Sequence, residues 1–257
     1  MPRTIKVVTL VLAAVISIHS RPSYAQTVTR GPYLQMGGQT SITIRWRSDV
    51  ASDSRVEIGT SFGTYPIAFT DGASVTNHSV NLTGLSADTK YYYRVGSGTT
   101  MVAPDALSFF TTLPLPNTTR KIRIAAFGDC GRNDNSFQTQ TLARYTAYLS
   151  SNGIDAPDAW LLLGDNAYNN GTDNEFTSGF FAPYTATILK NHKLYPSPGN
   201  HDYAQSLSRQ NDHNIPYYDI FTLPTAGQLG GVASTTEAFY SFDIGDIHFL
   251  SLDSYGR

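Results

Sequence analysis

Cysteine is nearly absent: Cys130 stands alone among 257 residues, so no disulfide can close within the chain. Stability must come from packing and from any bound metal. An excess of either charge is also missing. Eighteen lysines and arginines face twenty aspartates and glutamates, a net charge of −2. That balance lacks the polybasic footprint of a nucleic-acid binder. Charged residues make up 15% and hydrophobic ones 40%, too apolar a mixture for a disordered chain. Beyond the first two dozen residues no apolar run is long enough to span a bilayer.

The start is different. Arg3 and Lys6 precede an apolar run from Val7 to Ile18, and Ser23-Tyr24-Ala25 places small residues where a signal peptidase reads. Residues 1–25 are therefore expected to be a cleaved secretory signal, and the mature protein to be secreted or periplasmic. The run is too short to anchor a protein in a bilayer comfortably.

From 26 to 114 the chain alternates with a period of two. Ile42, Ile44 and Trp46 fall on one face of a strand, as do Val56 with Ile58, Val80 with Leu82, and Tyr91, Tyr93 and Val95. Short strands between Gly, Ser, Asp and Asn turns predict a β-sandwich. Leu85, Thr89 and Tyr91 are spaced like a tyrosine corner, and the segment resembles fibronectin type III domains. It carries no constellation of ionisable groups, so packing or recognition is its expected role.

Residues 115–120 read as a linker after the prolines of Leu113-Pro114-Leu115-Pro116. From 121 to 257 the rhythm becomes strand, helix, strand, helix, strand, the pattern of a parallel α/β sheet. Strands are expected at "KIRIAAF", "DAWLLLG" (buried on both faces) and "HKLYPS". Phe137, Leu142, Tyr145 and Leu149 recur at helical spacing, and a helix beginning near Asn174 is expected to break at Pro183.

Each of the three strands runs into a glycine-framed polar loop: "FGDCGRN", "LGDNAYNNG" and "PGNHDY". Sites in parallel sheets form beyond the carboxyl ends of strands, so Asp129, Asp165, Tyr168, Asn200, His201 and Asp202 should converge. Gathered carboxylates repel one another unless a cation lies between them. This oxygen and nitrogen set suits iron, zinc or manganese, and an imidazole beside it can donate to a phosphate or a leaving group. The remaining histidines read blandly: His78 and His192 as surface positions, His213 in a loop, His248 bonded within a sheet. Cys130 reads as a buried spectator thiol.

In order and spacing, the loops resemble the D-x-G, G-D-x-x-Y and G-N-H-[DE] motifs of purple acid phosphatases, within the calcineurin-like metallophosphoesterases. "RGPYLQ" and "AFYSFDIGDIHFLSLDS" resemble that family too. The resemblance implies a sandwich domain followed by an α/β metallophosphoesterase domain, and a dinuclear centre of iron with iron, zinc or manganese. It implies that Asp129 and Tyr168 bind one metal, that Asp165 bridges, and that Asn200 binds the other. His201 becomes the donor to phosphate or leaving group, with Asp202 orienting it. The implied activity is hydrolysis of small phosphate monoesters by a metal-bridging hydroxide. The resemblance also admits a homodimer. Beyond the third loop, the V-x-x-H and G-H-x-H motifs that complete such a site do not occur. The 257 residues are therefore expected to be the N-terminal part of an enzyme and, alone, a poor catalyst. Two other readings share these residues: a phosphodiesterase or nucleotide pyrophosphatase on the same site, and a secreted non-catalytic binding module with a degenerate metal site.

Overall fold

The computed structural model describes residues 26–132 and 136–255. The expected signal peptide lies outside the described residues. Six strands build the sandwich: β1 (Val28–Gln35), β2 (Ser41–Gly59), β3 (Ile67–Thr83), β4 (Lys90–Ser97), β5 (Thr100–Met101) and β6 (Phe109–Thr111). The long β2 and β3 pass through both layers. Residues Ser41 to Arg47 of β2 pair with β1 and the end of β3, whereas Arg55 to Gly59 pair with the start of β3 and with β4. Register shifts between Arg47 and Ser54 mark the bend, as bulges do when a strand changes sheet.

The alternating residues point inward as predicted. Ile42, Ile44, Trp46, Val56, Ile58, Val80, Leu82, Tyr93 and Val95 form one buried cluster, and each fully buried large side chain contributes roughly 1.5–3 kcal/mol. The Tyr91 hydroxyl accepts the Ser86 N–H at 3.1 Å and fixes the corner. His78 differs from the surface position expected of it. It is wholly buried, stacked on Trp46 at 4.6 Å, with Ser48 Oγ and Ser54 Oγ each 2.8 Å from its ring nitrogens. Two hydroxyls satisfy a neutral ring, which lets it enter an apolar layer.

The second half of the chain holds a parallel sheet in the order β7 (Ile124–Phe127), β8 (Ala159–Leu163), β9 (Leu194–Ser197). Helix α1 (Ser136–Ser151) makes the first crossover. Trp160 and Leu162 of β8 are fully buried, but Leu161 is half-buried and Leu163 exposed, so the strand is not covered on both faces among the described residues. Phe137, expected on the inner face of α1, is exposed as well.

The second helix does not break at Pro183. Helix α2 (Asp173–Glu175) continues as a π-helical stretch, Phe176–Phe181, and then as α3 (Ala182–Thr185), with Pro183 inside it. The Ala182 N–H reaches back to Thr177 O. Widening the turn just before the proline relieves the clash its ring would make with the preceding carbonyls. Helices α4 (Leu207–Asp212) and α5 (Pro216–Ile220) follow, then the hairpin β10 (Tyr240–Ile244) and β11 (Ile247–Ser251).

The two halves share a packed boundary. Tyr33 and Leu113 of the sandwich are buried in the larger core of the second half. The Tyr33 hydroxyl donates to Ile220 O at 2.7 Å, Arg45 to Asp219 O at 2.6 Å, and the Tyr195 hydroxyl to Gly37 O at 2.7 Å. Leu34 of β1 even forms a parallel bridge with Lys193 at the head of β9.

Candidate metal centre

The three polar loops leave the carboxyl ends of β7, β8 and β9 and stack on one another because glycine opens the contact surfaces. A Cβ on Gly131 would stand 1.9 Å from Asn166 O, and one on Gly199 would stand 2.2 Å from Asp165 Oδ1. No other residue fits at those approaches. Asp129 (φ +57°) and Asp165 (φ +54°) both occupy the left-handed region, each one residue past a strand-ending glycine. Aspartate tolerates that region better than most side chains. The Asp129 N–H donates to Gly164 O at 3.2 Å, which ties the first loop to the second.

The result brings two carboxylates from separate strands to one phenol. The Tyr168 hydroxyl lies against Asp129 Oδ1 and 2.9 Å from Asp165 Oδ2. A phenol has one proton and two carboxylates compete for it, so the cluster holds more negative charge than it can satisfy. Partial burial, followed by the two carboxylates, raises the Tyr168 pKa above the usual range. A cation at this point would reverse that sign, since a bound metal is the largest local charge and favours the deprotonated ligand. The donor set is thus chemically fit for a hard or borderline cation. Among the described residues no three His, Cys, Asp or Glu side chains gather closely enough to hold an ion by themselves. The set here is two carboxylates and a phenol.

Asn200 is half-buried at the tip of the third loop, and its carbonyl accepts the Gln205 N–H at 2.7 Å. Among the described residues its side chain makes no hydrogen bond to Asp129, Asp165 or Tyr168. His201 stands beside the cluster. Its N–H donates to Asp165 Oδ1 at 3.0 Å, and its ring lies 4.2 Å from that of Tyr168. Nδ1 is 2.8 Å from Asn169 O. A carbonyl only accepts, so Nδ1 carries the proton in this contact and Nε2 is left for other partners.

Asp202 does not orient His201. Its carboxylate is fully buried and accepts from Gly199 N–H (2.8 Å), Asn166 N–H (3.0 Å), Asn166 Nδ2 (3.0 Å) and Ala167 N–H (3.2 Å). It clips the second loop to the third. Burial pushes its pKa up to about 7, against the pull of those N–H groups. The ring contact expected from Asp202 comes instead from the Asn169 carbonyl. Cys130 is buried, and burial raises its thiol pKa far above any reactive range.

Three contributors were given no role by the sequence. Asn166 is fully buried and ties Ser197 O (2.8 Å) to Asp202. Asn169 supplies the histidine's acceptor. Glu175 gathers the N–H groups of Asn169, Asn170 and Thr172 at 2.6, 3.1 and 2.9 Å. Only the last left a signal: Thr172-Asp-Asn-Glu175 has the spacing of a capping box.

Residues 29–112 match the family described as purple acid phosphatase, N-terminal domain, and residues 122–256 match calcineurin-like phosphoesterase. Acid phosphatase type 7 of Homo sapiens is 29% identical over 242 residues, covering 86% of this chain and 49% of its own. Purple acid phosphatase 15 of Arabidopsis thaliana is 28% identical over 200 residues, covering 69% of this chain and 35% of its own. The chain spans about half, or less, of the length of the curated relatives it matches. Among solved structures, the yellow lupin purple acid phosphatase PPD1 superposes with a TM-score of 0.62 at 20% identity, over 85% of this chain and 43% of that one. That likeness shows the fold.

Proposed function

The chain belongs to the calcineurin-like phosphoesterases of purple acid phosphatase type, and from that premise we propose that the whole protein hydrolyses small phosphate monoesters at a dinuclear metal centre. Asp129, Asp165, Tyr168 and Asn200 are this chain's share of the ligands, for iron paired with iron, zinc or manganese. The observation that supports this reading is the meeting of two carboxylates from separate strand ends at a single phenol. When bound, the metals would supply positive charge for the phosphoryl oxygens and lower the pKa of water. The chain's own residues do the rest. Asp165 faces the Tyr168 hydroxyl with one oxygen and accepts the His201 N–H with the other. That carboxylate therefore joins the second and third loops. With its Nδ1–H committed to Asn169 O, His201 can pass a proton to the leaving oxygen only from Nε2, so the donating form is the ring protonated at both nitrogens. We also read residues 1–25 as the secretory leader of a secreted or periplasmic protein.

The experiment is Asp165→Ala in the full-length protein, with bound metal counted by elemental analysis after dialysis and turnover followed on a panel of mono- and diesters. Metal retention and monoester turnover are expected to fall together. Full retention of both would overturn the site, and preference for diesters would move the reading to a phosphodiesterase.

A further inference from the structure

The sandwich reaches the candidate centre by a route of charged side chains, of which Arg30 is buried. Arg30, whose side chain is 3% exposed, donates through Nη2 to Asp173 Oδ1 at 2.7 Å, to Asp173 O at 3.0 Å and to Thr177 Oγ1 at 2.5 Å. Arg47 Nη1 closes on Asp173 Oδ2 at 2.5 Å. Two guanidiniums from two sandwich strands thus hold one aspartate in the first turn of α2. Charge-assisted bonds of this kind are shorter and stronger than neutral ones, and here they are partly screened from water.

Two residues on, Glu175 points back. Its carboxylate accepts from the N–H groups of Asn169, Asn170 and Thr172 and from the Thr172 hydroxyl. A capping box ordinarily engages one backbone N–H through its glutamate. This one engages three, and together they define the path of the chain from Tyr168 to Thr172. The carbonyl of Asn169 in that stretch is the acceptor for His201 Nδ1. Gly171 makes the loop's return possible, since a Cβ there would stand 2.3 Å from Asp202 O.

We propose that Glu175 is a positioning residue for His201, and that Arg30 and Arg47 make the sandwich domain part of the positioning apparatus by anchoring the turn that carries Glu175. The proposal rests on the reading of His201 as proton donor for its value to catalysis, but not for its geometry. Glu175 touches no candidate ligand and acts only through Asn169. With the loop fixed, Nδ1–H is held on Asn169 O, so any further proton the ring takes up or gives away passes through Nε2. With the loop released, the ring reverts to the mixture of tautomers of a solvated histidine.

The test uses the metal-free protein labelled with ¹⁵N-histidine, and reads the ring nitrogens of His201, assigned by their loss in His201→Asn. In the neutral ring, wild type is expected to show the proton on Nδ1 rather than on Nε2. Glu175→Ala should shift both signals toward the solution mixture, Glu175→Gln should restore most of the wild-type pattern, and Arg47→Met should produce an intermediate shift. If Glu175→Ala fails to fold, Arg47→Met carries the comparison. Unchanged His201 ring signals in a folded Glu175→Ala or Arg47→Met protein would overturn the proposal. In the full-length, metal-loaded enzyme, Glu175→Ala should lower kcat for an alkyl phosphate on the order of tenfold, and that for 4-nitrophenyl phosphate much less, because a good leaving group needs little protonation. Moved ring signals with an unchanged alkyl phosphate rate would uphold the positioning and remove His201 from the role of donor.

Discussion

A buried carboxylate next to a candidate catalytic histidine invites a catalytic reading, and Asp202 shows how local bonding decides otherwise. Its oxygens are fully used by Gly199, Asn166 and Ala167, so nothing is left to steer the ring beside it in sequence. The motif "GNHD" announced that three polar residues share a turn; it did not announce which direction each would face. Asp202→Ala strands at least three buried N–H groups, each costing about 1–3 kcal/mol when unpaired. Mutual relaxation will recover part of that. The expected loss is roughly 3 kcal/mol in urea unfolding, with the two loops drifting apart. A variant as stable as the wild type would mean that the clip is dispensable. The residues that could be read correctly were those whose chemistry admits few uses. Asp129 and Asp165 each follow a strand and a glycine, Tyr168 comes three residues after Asp165, and the structure brings the three together. Asn166 and Asn169 could not be read, because their contribution is made partly through backbone atoms, which every residue has.

At the scale of elements, period and punctuation predicted the strands and the first helix well, and erred where a tertiary contact overrode the pattern. Pro183 lies within a continuous helical stretch because a π-turn precedes it. His192, at the end of that region, is wholly buried instead of superficial, with Tyr145 Oη 3.0 Å and Asn191 Oδ1 2.5 Å from its ring nitrogens. The junction of β1 with β9 carries the least expected residue, Lys193. It is 2% exposed, pairs by its backbone with Leu34, and gives its ammonium to Thr111 O at 2.8 Å. Burial pulls its pKa down to about 8, partly opposed by Asp158. The unfolded chain keeps this proton up to about pH 10.4, while the folded one releases it near 8. Between those values the unfolded state binds more protons, so stability should rise with pH. Lys193→Met is therefore expected to unfold at the same or a higher urea concentration at pH 7, and to lose the rise in stability between pH 8 and 10. A sharp destabilisation at every pH would show that the single bond to Thr111 O outweighs the buried charge.

For the whole molecule, the absence of disulfides leaves stability to the two cores and the seam between them, and each core contains a neutral histidine. His78 lies in the sandwich core and His192 beneath the parallel sheet, and burial depresses their pKa values to about 4 and about 3. The sign follows from the proton count. Below pH 6.5 the unfolded chain protonates both rings, while the folded chain resists until near pH 4 for His78 and pH 3 for His192. The stability present at neutral pH is thus lost progressively as pH falls through that window. For His78 the loss is at most about 3–4 kcal/mol, taking 1.36 kcal/mol per pKa unit. His78→Gln preserves groups able to bond Ser48 and Ser54 but cannot be protonated. It should be less stable at pH 7, where the stack on Trp46 is lost, yet its urea midpoint should fall less than that of the wild type between pH 6.5 and 4. Parallel curves for the two proteins would remove His78 as a source of acid sensitivity. If the proposed hydrolysis is run in acid, these two buried rings weaken the scaffold there, and the acid range is limited by the fold as well as by the centre.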